Sequence, residues 1–225
     1  LIEDMPKDTE FFSDIQFYEK EFDGVMPIEI IINTGQKKGV MKMATLRRMD
    51  QLEQMIDSTN GLSKPLSMVS IVKYAKQAYY NCNPEYFELP SAQEQNFILR
   101  YAKNSVEGDQ ANLMKSYVDS TGQYARITTY LRDEDGQQMD RIVNEIKTRA
   151  AEIFPGERYQ VTVTGKTLVF KKGTGYLLDN LLSSLAFAFF LTALLIALMF
   201  RSFKMVLVAI IPNLLPLFMT AGIMG

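Results

Sequence analysis

The sequence predicts an α+β protein in two parts, a ferredoxin-like βαβ domain with a helical insert and a transmembrane α-helical hairpin that follows it. Two uncharged apolar stretches, 181–200 and 205–225, predict the hairpin. The residues before them alternate between strand and helix patterns and predict the domain. Charge divides the chain at the same place, because all 26 acidic residues lie at or before Asp179.

The first half of the domain is predicted as helix, strand, helix. Pro6 is typical of a first helical turn, and Gly24 of a helix end. Between them, aromatic and aliphatic residues recur at helical spacing: Phe11, Phe12, Ile15, Tyr18 and Phe22. The Ile-rich segment 26–33 predicts a buried strand. The next amphipathic helix, which ends near Gly61, is marked by Leu46, Met49, Leu52 and Ile56.

A helical insert is expected between the two halves of the domain. The pattern of 66–69 is compatible with a short strand and that of 70–80 with a helix. Prolines and asparagines then predict a loop over 81–90. A further helix is expected to run to about residue 103, because Ser91 and Glu94 have the spacing of a capping box.

The second half repeats the order strand, helix, strand. Residues 124–131 alternate and are rich in β-formers, and the alternation from 159 to 164 predicts the last strand. The clearest amphipathic stripe lies between them and contains Met139, Ile142, Val143, Ile146, Ala150 and Ile153. Two βαβ halves of this kind predict a ferredoxin-like sandwich in which this stripe covers one face of the sheet.

The two uncharged stretches are each long enough to cross a bilayer. A hydrocarbon core of about 30 Å requires roughly 20 apolar residues in a helix. Helices buried in large soluble proteins can also be apolar on all sides, but a tandem pair joined by the short basic loop 201–204 favours a membrane hairpin. The position near the C-terminal end excludes a secretory signal.

No catalytic, cofactor or metal site is predicted. The triplet 165–167 (GKT) resembles the end of a phosphate-binding loop, but Gln160 stands where that motif needs glycine. The acidic turn 133–136 has Asn144 at the position where a calcium loop needs glutamate. The chain contains no histidine, which excludes a His-based triad, and Cys82 is its single cysteine. A net charge of −2 without a basic patch gives no indication of a nucleic-acid partner.

Three residues in the second apolar stretch are unusual for a membrane helix. Pro212 and Pro216 each remove a backbone donor, and Asn213 places an amide in apolar surroundings. We therefore expect Asn213 to face another helix. The sequence leaves two interpretations open, which are helix packing and a hinge or substrate-path segment.

Several segments resemble transporters of the resistance-nodulation-division superfamily. The segments 200–204 (FRSFK), 211–217 (IPNLLPL) and 222–225 (GIMG) are similar to the second and third helices of a repeat in that superfamily. Within it, the chain resembles the branch of mycobacterial large membrane proteins and hopanoid exporters. The segments 22–27 (FDGVMP) and 162–165 (TVTG) lie where that branch begins and ends its porter domain.

The resemblance implies a multi-pass protein of the bacterial inner membrane that exports lipids or other hydrophobic compounds and is driven by proton flux. It implies a periplasmic porter domain (1–172), a linker (173–180), a membrane helix (181–200), a cytoplasmic loop (201–204) and a second membrane helix (205–225). The implied partners are the lipid bilayer, a hydrophobic or lipidic substrate, the remaining transmembrane helices of a longer protein and a possible homo-oligomer. No cofactor is implied, and the proton-relay acids of such transporters belong to a fourth helix outside this chain.

Charge supports this topology, because Arg201 and Lys204 lie in the short loop and favour its cytoplasmic placement. Two alternatives remain open. One is a protein-translocation accessory subunit of the same superfamily, and the other is a membrane-anchored sensor or adaptor without transport.

Overall fold

The computed structural model describes residues 9–22, 24–104, 111–132 and 136–200, together with scattered single positions between 208 and 223. The chain divides into two compact units, Leu1–Val169 and Phe170–Gly225. The helix start predicted around Pro6, the acidic turn 133–135 and the loop 201–204 lie outside the described residues.

The structure is α+β, as predicted, with a small antiparallel sheet and one long apolar helix. A 3₁₀ turn (Pro84–Tyr86) lies in the predicted loop. The helices and strands in chain order are α1 (Glu10–Phe22), β1 (Met26–Asn33), α2 (Met43–Ser58), α3 (Met68–Tyr79), α4 (Gln95–Asn104), α5 (Ala111–Tyr117), β2 (Tyr124–Leu131), α6 (Gly136–Ile153), β3 (Gln160–Thr164) and α7 (Lys166–Phe200).

The three described strands are arranged in the order β2-β1-β3. The central strand β1 is antiparallel to both neighbours, and its register runs from Met26 opposite Leu131 to Asn33 opposite Tyr124. Two isolated antiparallel bridges, Leu62 to Leu131 and Leu66 to Thr128, continue the pairing beyond β2. The short strand expected over 66–69 is therefore limited to one bridge, because α3 begins at Met68.

The core lies between one face of the sheet and the helices α2 and α6. Alternate residues of β1 (Ile28, Ile30 and Ile32) are almost completely buried, as the period of a half-buried strand requires. The stripe predicted on α6 is confirmed from Met139 to Ala150. Full burial of one such side chain is worth about 1.5–3 kcal/mol, so the sheet and these helices depend on one another.

Two glycines allow neighbouring backbone segments to approach each other closely near the start of β1. Gly165 follows β3 at φ 149°, and a Cβ there would lie 2.4 Å from the carbonyl oxygen of Pro27. Gly24 precedes β1 at φ 141°, and its Cβ would lie 2.7 Å from the backbone of Leu131. Only glycine fits both the conformation and the space. Both glycines belong to the segments on which the family resemblance depends.

One expectation about the helices is confirmed and one needs correction. α1 forms where predicted, with none of its residues buried and with Phe11 and Phe17 more than 60% exposed. The segment 173–180, expected to be a linker, is helical and lies within α7. Gly173 and Gly175 lower the helix propensity of this segment, but no proline interrupts the helix that begins at Lys166.

Candidate functional site

The hinge candidates from the sequence lie in a part of the chain that is described only at scattered positions. Pro212 and Pro216 are helical and exposed. Asn213 lies outside the described residues. The grouping of these three residues into one functional segment therefore stays a prediction.

The membrane-crossing candidate in the described part of the chain is the helix Lys166–Met199. Its mean hydropathy reaches 2.5, and none of its apolar window is buried. Large apolar side chains such as Leu182, Phe187 and Phe190 are more than 60% exposed. The second predicted span, 205–225, is described only at single positions.

A buried carboxyl group occupies the junction of α2 and α3. Glu53 of α2 is only 6% exposed, because it neighbours Leu52 on the core-facing side of the helix. Its carboxyl accepts a hydrogen bond from the hydroxyl of Ser67, the N-cap of α3. The same hydroxyl accepts from the backbone N–H of Val69 at 2.9 Å. Ser67 thus joins the acid of one helix to the first turn of the next.

Burial controls the protonation of this acid. Removal from water raises the pKa of Glu53 to about 7, against the opposing effects of the Ser67 hydrogen bond and the positive charge of Lys73. The negative charge of Asp50 adds to the increase. Glu53 therefore changes charge near neutral pH, whereas an exposed glutamate is already ionised there.

Glu53 forms part of the wall of an open cavity of about 220 Å³, which we call the Glu53 cavity. Its wall includes Glu53, Asp57, Lys64, Lys73, Tyr74 and Phe87. The ammonium of Lys73 pairs with Asp50 and lies 5.7 Å from the ring centre of Phe87. The rings of Tyr74 and Phe87 are 4.8 Å apart and tilted by 58°. The cavity therefore combines a titratable acid, two ammonium groups and an aromatic wall.

A second ionic group joins α3 to the start of α4. Lys76, whose side chain is 4% exposed, contacts Glu88 at 2.9 Å and Glu94 at 3.1 Å. Glu94 also accepts from the hydroxyl of Tyr80 at 2.8 Å and from the backbone N–H of Ser91 at 2.8 Å. The Ser91 contact confirms the predicted capping box, although the regular helix begins at Gln95.

The protonation states of this second group are fixed. Hydrogen bonds from Ser91 and Tyr80 hold the pKa of Glu94 at about 2. Burial alone would lower the pKa of Lys76, but its hydrogen bonds to Glu88 and Glu94 raise it. Both groups are charged at every physiological pH, so we interpret this network as structural support for the insert. The Glu53 cavity, by contrast, changes charge.

One feature of the sequence indicates the Glu53 cavity, although the hydrophobic periodicity of the helix does not reveal it: an acidic residue occupies a core-facing position. Glu53 lies four residues after Met49 and three before Ile56, which is a core-facing position of an amphipathic helix. An acid at such a position requires a partner. The partner, Ser67, follows a turn, so no helical spacing relates the two residues.

The described residues contain no group of three or more His, Cys, Asp or Glu side chains placed to hold a metal ion. The arrangement of the Glu53 cavity supports reversible binding and proton exchange. The single cysteine, Cys82, is exposed and free of a disulfide.

No curated protein is significantly similar to this chain. The sequence profile of the MMPL family matches residues 3–225, nearly the full length of the chain. The members of this family are membrane transporters of the resistance-nodulation-division superfamily. The match covers both the α/β domain, which Gly24 and Gly165 delimit, and the exposed apolar helix α7. On this evidence the chain belongs to the MMPL family.

Proposed function

We propose that the chain supplies the periplasmic substrate-handling domain of a proton-driven exporter of lipids or other hydrophobic compounds. The observation that carries the proposal is the family match over residues 3–225. The exposed apolar surface of α7 supports it, because such a surface is stable in a bilayer and costly in water.

The topology of the sheet supports a ferredoxin-like porter domain. In this proposal the bridges at Leu62 and Leu66 represent a reduced fourth strand beside β2. The spatial order is then residues 62–66, β2, β1, β3, and the chain order is that of a split βαβ fold. The insert α3 to α5 lies between the reduced strand and β2.

The proposal places the α/β domain on the periplasmic face of the inner membrane. Arg201 and Lys204 support this placement through the bias of short basic loops towards the cytoplasm. A single cysteine at Lys37, an exposed turn position, in a Cys82→Ser background tests it. Labelling of intact cells by a membrane-impermeant maleimide is expected. Labelling that requires lysis would contradict the periplasmic placement.

Transport is tested with the complete protein that carries this chain, reconstituted in liposomes with a fluorescently labelled lipid. An imposed proton gradient is expected to accelerate movement of the lipid between leaflets, and a protonophore is expected to abolish the acceleration. Unchanged movement with and without the gradient would contradict proton-driven lipid export. If cells lacking the protein instead accumulate unexported preproteins, the accessory-subunit alternative is favoured.

A further inference from the structure

The Glu53 cavity has the dimensions of a binding site for a small organic molecule. Its volume of about 220 Å³ exceeds that of a single water many times over. One wall is aromatic, and the rings of Tyr74 and Phe87 remain 59% and 41% exposed although they contact each other. Glu53, which also lines the cavity, is almost completely buried. Binding of an apolar body against the rings would bury surface that is now in contact with water.

The charges around the cavity favour a cation. The cavity wall contains the carboxyl groups of Glu53 and Asp57 and the ammonium groups of Lys64 and Lys73, and a third carboxyl group, that of Asp50, pairs with Lys73. The charges of Lys73 and Asp50 cancel, and the exposed side chains of Asp57 and Lys64 carry opposite charges. The cavity is therefore close to neutral when Glu53 is protonated and carries one excess negative charge when Glu53 is ionised. A monovalent cation supplies the missing charge, whereas an anion would add to the excess.

We propose that the Glu53 cavity binds an amphiphilic monocation, an amine or quaternary ammonium with a small apolar body, whose charge pairs with Glu53 and whose body packs on Tyr74 and Phe87. The ion pair at Glu53 is shielded from water, so it is stronger than a surface pair. This binding does not rest on transport and can be tested even if the exporter proposal fails.

Binding at this site is linked to proton release. Because the pKa of Glu53 is about 7, the free cavity holds a proton during part of the time at neutral pH. The cation requires the ionised carboxylate, so the proton leaves when the cation binds. The charged groups that act on Glu53 are Lys73 on α3, which lowers the pKa of Glu53, and Asp50 on α2, which raises it. Affinity for the cation is therefore expected to rise about tenfold from pH 6 to pH 8.

The test uses the full chain in a nonionic detergent and three probes of one shape. The probes are 2-phenylethylammonium, the neutral 2-phenylethanol and the anionic 3-phenylpropanoate. Calorimetric titration at pH 6, 7 and 8 is expected to show binding of the cation, with the stated pH dependence, and weaker binding of both controls. Equal affinity for the neutral probe, or tighter binding of the anion, overturns the proposal.

Two variants locate the binding. Glu53→Gln keeps the shape and the contact with Ser67 but removes the charge, and it is expected to weaken cation binding at least tenfold and to abolish its pH dependence. Glu152→Gln, on an exposed carboxyl of α6, is the matched control and is expected to bind normally. If Glu53→Gln binds the cation as tightly as the wild type does, the cation does not pair with Glu53 and the proposed site is wrong.

A third measurement uses only the wild-type chain and therefore tests the proposal even if the Glu53 variant does not fold. Titration of the wild-type chain at pH 7 in two buffers of different ionisation enthalpy measures the protons released per bound cation. About half a proton is expected, because Glu53 is half protonated near its pKa. A value of zero overturns the linkage and with it the assignment of the cation to Glu53.

Discussion

The helices α6 and α7 differ in the distribution of their polar residues, and this difference determines what each can contact. α6 buries one stripe, including Ile142 and Ile146, and keeps charged residues on its other side. The apolar window of α7 has no such division and none of it is buried. An amphipathic helix finds its partner within its own domain, whereas a helix apolar on all sides needs an apolar environment around it.

Polar side chains follow the same division. In the α/β domain, the buried charged groups Glu53 and Lys76 find their partners in other segments, Glu53 in Ser67 and Lys76 in Glu94. In α7, the hydroxyls of Ser184 and Thr192 donate to carbonyls one turn earlier in the same helix, each at 2.9 Å. Such self-contained hydrogen bonding is what a bilayer requires of a spanning helix.

The largest expected effect comes from a charge placed in the α6 stripe. Ile146→Asp is expected to abolish folding of residues 1–172 expressed alone, because an unpaired buried carboxylate costs several kcal/mol. Circular dichroism should then show no cooperative melt. Asn144→Asp, on the exposed side of α6, is the control and should melt as the wild type does. A cooperative melt of the Ile146 variant would show that this stripe does not support the domain.

The glycines of the two units provide the next comparison. Gly165→Ala is expected to destabilise the domain by about 3 kcal/mol or more, because a Cβ would collide with the carbonyl of Pro27 at a strained φ. Gly173→Ala in α7 meets no atom within 4 Å and should stabilise its helix by about 1 kcal/mol. Urea unfolding of the full chain in detergent measures both. Equal effects would contradict the tight passage at Gly165.

The third effect is smaller and depends on pH. In the folded domain Glu53 keeps its proton to about pH 7, whereas in the unfolded chain it loses it near 4.5. The unfolded state therefore binds fewer protons between these values, and the stability from Glu53 falls as pH rises from about 4.5 to 7. Glu53→Gln removes this loss.

At pH 8 the Gln variant is expected to be more stable than the wild type by up to about 3 kcal/mol, and at pH 4 nearly equal to it. Melting temperatures at both pH values measure this difference, with Glu152→Gln as the control. A constant difference across the pH range would mean that Glu53 does not titrate as its burial requires.

The parts of the fold that depend on periodicity were predictable from the sequence. The strand β1 and the stripe of α6 match the expected segments. An element with one buried face places apolar residues at a regular spacing, and this spacing can be recognised within the segment itself. The start of α7 was not predictable in this way. Residues 166–180 contain lysines and glycines, and helix propensity alone is too weak to decide such a segment.

The candidate site was less predictable, since it depends on contacts between distant segments. Glu53 and Ser67 are joined through a turn, and Phe87 reaches Lys73 from the loop that follows α3. No local pattern encodes these approaches. The sequence instead drew attention to Pro212, Asn213 and Pro216, whose chemistry is unusual for an apolar helix, and their role stays a prediction.

Substitutions in the segment of Pro212, Asn213 and Pro216 are expected to have the smallest effect on stability but a large effect on function. We expect Pro216→Ala and Asn213→Leu to reduce transport by the complete protein severalfold while leaving its membrane level and the melting of its α/β domain unchanged. Two prolines four residues apart each remove a backbone hydrogen bond of their own helix. The side chain of the asparagine between them can compensate by forming a hydrogen bond to a neighbouring helix. Such a segment bends at lower cost than a regular helix. Leu215→Ala, which changes side-chain size without changing the backbone, is the control and should transport normally. Transport at the wild-type rate in both variants would reduce the segment to helix packing, and a collapse of membrane levels would assign it to assembly instead of movement.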